Sequence, residues 1–223
     1  MKSVDIILFE GVDELDFCGA YEVLASCRKV IAGRWTDKPA FHVETVAGSR
    51  ATIRTAHGLS ILPDKPFELA READIILVPG GPAAQKENIS EHLLEFLRKA
   101  SYTADVVASI STGAFLLAKA GLAFQQQVTT HNARTGDLAR LYPLAHVVEH
   151  ERVVISGDKN ELMSCGGSSC GIDLALTLVA RFEDANTAKI AARRIEWVHP
   201  VMDWEEFARK SQIATRQRNS AHL

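Results

Sequence analysis

The sequence is short of cysteine, of aromatic residues and of any excess of one charge. Its four cysteines, Cys18, Cys27, Cys165 and Cys170, are too few and too unevenly spaced for a disulfide framework in 223 residues, so buried free thiols are expected. Against 28 acidic residues stand 25 basic ones, a formal charge of −3 that supplies no broad positive field for nucleic-acid phosphates. Arg193, Arg194, Arg209, Lys210, Arg216 and Arg218 gather toward the end of the chain and read as a solvated helix face rather than a phosphate- or lipid-binding tail. Composition suggests no membrane span. Val4 to Phe9 is too short for a signal-peptide core followed by a small-residue cleavage site, so a cytoplasmic protein is expected, with neither nucleic acid nor membrane as partner. Phosphate loop, dinucleotide fingerprint, zinc-spaced ligands, internal repeats and low-complexity runs are all missing, so no cofactor and no metal are expected.

What is there is an ordinary globular balance, 47% apolar and 24% charged, in a chain long enough to fill one sheet covered on both sides. Short β-branched runs alternate with longer helical patterns, the mark of parallel strands joined by helical crossovers. The reading places strands at Val4–Phe9, Phe41–Ala47, Ile75–Val78, Asp105–Ile110 and Val128–Thr130. Helices are placed at Tyr21–Ile31, Ser90–Ala100, Thr112–Ala120, Arg134–Tyr142, Gly171–Phe182 and Ala185–Trp197. Thr52–Leu62, and Val147–Ser156 with Leu162–Ser164, break the alternation and read as hairpins or edge strands about His57–Gly58 and Glu149–Arg152. One α/β domain over residues 1–200 is expected, followed by a tail, 201–223, in which Trp204 and Phe207 are possible anchors.

Three stretches carry chemistry. In Val106–Leu117 an apolar strand passes through one residue, Ser111, into a helix, with small residues two before and two after it. That is the small-x-Ser-x-small form of a nucleophile elbow. The plainer alternative is that Ser111 or Thr112 caps the helix. In Ile75–Gly81 a buried strand ends in Gly80-Gly81, whose amides could face a developing oxyanion or simply turn the chain. Directly after the first strand, Asp13 to Glu22 puts carboxylates where open α/β sheets handle ligands, and Asp16 is the pocket candidate; an N-cap is the alternative.

Together with Val128–His131 and Gly166–Leu176, these elements resemble the ThiJ/PfpI superfamily of class I glutamine-amidotransferase-like domains, over Val4 to about Trp197. The resemblance implies a flavodoxin-like sandwich, a mostly parallel sheet with helices on both faces. Asp16 with Gly19–Val23, and Ser111–Ala114, look like the isonitrile hydratase branch, which is also similar to the sensor half of certain AraC-type regulators. That branch adds water to an isonitrile to give an N-substituted formamide. The likeness makes Asp16 the general acid and base, Thr112 a polar neighbour of the reacting atoms, a small molecule the ligand and a homodimer the assembly. Its elbow residue is a cysteine, where this chain has Ser111, and a serine hydroxyl needs an adjacent base to react. His131 is the histidine that could supply one, Cys18 the thiol that could replace the missing one. A non-catalytic small-molecule-binding or scaffold member, and a serine hydrolase built on Ser111, stay open beside the hydratase.

Overall fold

The computed structural model describes residues 1–159 and 161–197. Strands cover Lys2–Ile7 (β1), Arg28–Ile31 (β2), Arg34–Pro39 (β3), Phe41–Ala47 (β4), Ile53–Arg54 (β5), Ser60–Ile61 (β6), Lys65–Pro66 (β7), Ile75–Val78 (β8), Val106–Ile110 (β9), Gln127–Val128 (β10), His146–Val147 (β11), Val153–Ser156 (β12) and Leu162–Cys165 (β13). Helices cover Glu14–Ser26 (α1), Glu91–Thr103 (α2), Gly113–Lys119 (α3), Thr135–Leu141 (α4), Cys170–Phe182 (α5) and Ala185–Arg194 (α6).

Seven strands form the main sheet in the order β12-β13-β9-β8-β1-β4-β7, parallel except for the β12–β13 edge pair. β8 and β9 are buried at every residue because helices lie on both sides, which is why they read as unbroken apolar runs. Leu24, Leu77, Ile110 and Leu174 pack on the side of α1, α5 and α6, while Ile7, Ile76, Leu97 and Leu116 pack on the side of α2, α3 and α4. The crossover from β1 leads toward β4, and that from β8 leads toward β9. The C-terminal ends of β1 and β8 therefore flank the point where strand order reverses, the crevice where such sheets bind ligands.

The expected mixed sandwich is found, with local corrections. The first helix spans Glu14–Ser26, not Tyr21–Ile31, because Asp13 caps it and Arg28 begins a hairpin turned at Ala32 and Gly33, both at positive φ. Gln127–Val128 leaves the main sheet and pairs in parallel with His146–Val147. The antiparallel partner of Val153–Ser156 is Leu162–Cys165, so the chain reverses after Ser156 and not at Glu149–Arg152. Thr52–Leu62 does contain the two-stranded hairpin, β5 against β6. Trp204, Phe207 and the rest of the expected tail lie outside the described residues. Among the described residues no helix is long and apolar enough to cross a membrane.

Candidate active site

Asp13 accepts the Leu15 amide at 3.1 Å and so occupies the cap position of α1. Asp16 lies inside the first turn, not in the preceding loop. Its spacing to Ala20, Val23 and Leu24 puts it on the stripe that faces the sheet, and it is 0% exposed. A carboxyl on the apolar side of a helix needs partners. Its Oδ2 accepts the Gly80 amide at 2.8 Å. Oδ1 completes no well-formed hydrogen bond, although the hydroxyls of Ser168 and Ser111 stand near enough to favour the charged form. Burial outweighs those hydroxyls and the Gly80 amide, and with the Asp13 charge it pushes the Asp16 pKa up to about 7. At neutral pH the group is therefore divided between acid and base.

Ser111 occupies the bend between β9 and α3 with φ at +55°, a left-handed conformation that costs a non-glycine residue roughly 1–2 kcal/mol. Its amide donates to the carbonyls of Cys165 at 3.1 Å and Gly166 at 3.0 Å, and its own carbonyl accepts the Thr130 hydroxyl at 2.8 Å. Gly113 is small of necessity: a Cβ there would fall 2.0 Å from the Val78 carbonyl oxygen. Thr112 stands at the N-cap of α3 without capping it. Its hydroxyl accepts the Gly81 amide at 2.9 Å and donates to the Gly81 carbonyl at 3.1 Å.

The glycine pair does something other than expected. Both amides are engaged, Gly80 by Asp16 and Gly81 by Thr112, so they hold the acid and the threonine in place and are not free oxyanion donors. Size matters as much as donation, since a Cβ on Gly80 would fall 2.5 Å from Thr112 Oγ1 and 2.7 Å from Asp16 Oδ2. Gly81, at φ +139°, would bring a Cβ to 2.4 Å from the Gly11 carbonyl oxygen.

Two other candidates fall away. His131 is exposed and caps a short 3₁₀ turn, its Nδ1 accepting the Ala133 amide at 3.2 Å. With Nδ1 so used, the neutral ring carries its proton on Nε2, which leaves no free lone pair for Ser111. Cys18 follows Asp16 by two residues, about 200° round the helix, and lies exposed on the outer side with its pKa raised by burial and the Glu14 charge. Neither influence activates a thiol. Burial likewise raises the pKa of Cys165, well above the ordinary thiol value, and of Cys170.

Residues not singled out by pattern also belong here. Thr130 bonds the elbow carbonyl and Ser168 stands near the acid, both from the Val128–His131 and Gly166–Leu176 segments that carry the family likeness without either residue being named a site residue. At the start of α1, Asp13 and Glu14 with His57 bring ligand-type atoms within 4.8 Å of one another, with Glu14 bonded to His57 and to the Thr55 hydroxyl.

Residues 2–181 match the DJ-1/PfpI family. The chain is 32% identical over 195 residues to an isonitrile hydratase of Pseudomonas putida, covering 87% of this chain and 78% of that protein. It is 25% identical over 223 residues to the HTH-type transcriptional regulator GlxA of Rhizobium meliloti, covering 99% of this chain but 62% of the regulator. Its fold superposes on Drosophila melanogaster DJ-1beta with a TM-score of 0.73 at 20% identity, over 89% of this chain and 99% of that one. The strained elbow, the glycine turn and the buried acid all fall inside the matched span, and the chain belongs to the DJ-1/PfpI family.

Proposed function

We propose that the protein is an isonitrile-hydratase-like lyase that adds water to the carbon of a small isonitrile, with Ser111 in the nucleophile's position. One observation carries this reading: Asp16 is sealed in the switch-point crevice beside the elbow, with a pKa of about 7 that suits both donation and acceptance of a proton. In the proposed sequence the Asp16 acid protonates the isonitrile carbon. The Ser111 oxygen then bonds to that carbon and yields its proton to the Asp16 carboxylate, leaving an imidate ester. Water adds to the same carbon, Ser111 leaves with a proton, and the N-substituted formamide is released with both residues restored. Thr112, fixed by Gly81, lines the reacting atoms, and Gly80 aims the acid.

A second reading, binding of an isonitrile or formamide without turnover, is favoured by the hydroxyl itself. Among the described residues no imidazole hydrogen-bonds to Ser111, and the acceptor beside its hydroxyl is a carboxyl that is half protonated near neutrality. The same fact weighs against a histidine-dependent serine hydrolase. The wider proposal keeps a small-molecule ligand, a cytoplasmic setting and a homodimer; exposed Leu15, Tyr21, Leu59 and Leu62 support pairing of two copies, which light scattering checks.

The test is formamide formation from an alkyl isonitrile, followed by proton NMR, for the chain as it stands and for Ser111→Cys. Turnover by both supports a serine hydratase. Turnover by the cysteine form alone makes this a hydratase pocket used for binding, and silence from both ends the hydratase reading.

A further inference from the structure

We propose that Thr130 is a positioning residue whose hydroxyl locks the elbow, keeping the Ser111 side chain aimed at Asp16; this rests on reading position 111 as the reacting centre. The argument is geometric. Two peptide planes meet at the Ser111 Cα. The plane before it is anchored by the Ser111 amide, which donates to two carbonyls, Cys165 and Gly166. The plane after it is anchored through the Ser111 carbonyl, which accepts the Thr130 hydroxyl at 2.8 Å. The helical donor to that carbonyl, the Ala114 amide, is distant at 3.4 Å, so the threonine supplies the short bond. With both planes held, the φ and ψ of Ser111 cannot relax toward the common regions without breaking one anchor.

Thr130 is itself held firmly. It is 0% exposed, at the end of a run, Val128 to Thr130, that is wholly buried. The preceding amide, on Thr129, donates to the Ser164 hydroxyl at 2.8 Å. Ser164 lies on β13, which pairs with β9 at Ser109, two residues before the elbow. The elbow, β13 and the Thr129–Thr130 segment thus form a closed circuit of bonds around Ser111. Removing the hydroxyl opens that circuit at the residue whose conformation is strained, and a shift of about 1 Å at a reacting atom can cost about 100-fold in rate.

The experiment reads the elbow without relying on isonitrile chemistry. Iodoacetamide alkylation of the thiol introduced by Ser111→Cys is followed by peptide mass spectrometry, alone and combined with Thr130→Val or Thr130→Ser. Alkylation of Cys18, exposed on α1, serves as the control within the same molecules. Thr130→Val, which keeps the shape and loses the donor, is expected to slow alkylation at position 111 about tenfold. Thr130→Ser restores most of the rate, and Cys18 is unaffected by either. If Thr130→Val does not fold, Thr130→Ala carries the same expectation. The inference is overturned if the valine or alanine form reacts at the parent rate, or if the serine form is as slow as the valine form. Slowed alkylation in a protein that makes no formamide keeps the lock and removes the hydratase.

Discussion

Asp16→Asn replaces a buried ionisable group with a neutral one of the same shape, and its effect on folding can be worked out from the site. An aspartate that titrates at an ordinary 3.8 in the unfolded chain titrates at about 7 when folded. Between those values the unfolded chain has released a proton that the folded chain retains, so stability falls as pH rises, and the loss is complete above about pH 7. At about 1.4 kcal/mol per pKa unit, Asp16 costs the fold about 1.5 kcal/mol at pH 5 and about 4 kcal/mol at pH 8. The asparagine form escapes this cost. Whatever constant offset the amide introduces, the gap between variant and parent should widen by about 2.5 kcal/mol from pH 5 to pH 8. In a domain of this size that corresponds to about 5–10 °C in the difference of melting temperatures. Urea melts of both proteins at the two pH values measure it. Parallel pH profiles would mean that Asp16 ionises normally in the fold, and the reasoning from its burial would be wrong.

Other outcomes follow from the same geometry. Gly80→Ala, whose Cβ would fall 2.6 Å from the Thr112 amide nitrogen, should destabilise by about 2 kcal/mol or more in a thermal melt. Ser111→Gly should be more stable than Ser111→Ala by about 1 kcal/mol, since only glycine relieves the positive φ; equal melting points would argue against a strained elbow. Asp173→Ala should cost about 2–3 kcal/mol in urea, because buried Asp173 binds Arg152 through Nε at 2.8 Å and Trp197 Nε1 at 2.9 Å. If Asp16 delivers the proton, any hydration rate should fall as pH rises through about 7, where its acid form is lost.

The sheet was legible because its strands are buried on both faces. Ile75–Val78 and Val106–Ile110 read as apolar runs, and the small residue two after Ser111 is required because the end of β8 lies against the start of α3 at Gly113. The start of α1 was harder to read, since Asp13 and Asp16 are both plausible caps until the buried stripe through Ala20 and Leu24 assigns Asp16 to the sheet side. The β2–β3 hairpin lies on the surface, where no apolar alternation marks it, and its main signal was Gly33. Within the site, local pattern suggested Ser111, Asp16 and the glycine pair, and the family likeness added Thr112. What Gly80 and Gly81 donate to depends on which side chains arrive from α1 and α3, and no local pattern records that. The roles of Thr130 and Ser168 were unreadable for the same reason, since the partner of the first lies on the elbow and that of the second on α1.

Formamide release from an alkyl isonitrile by Ser111→Cys, compared with Ser111→Cys/Asp16→Asn, tests the central claim most directly. The buried carboxyl is required to move the proton, so the first protein should produce formamide and the second, though folded, should lose nearly all of that activity. Equal formamide production by the two would show that Asp16 takes no part in the chemistry at the elbow.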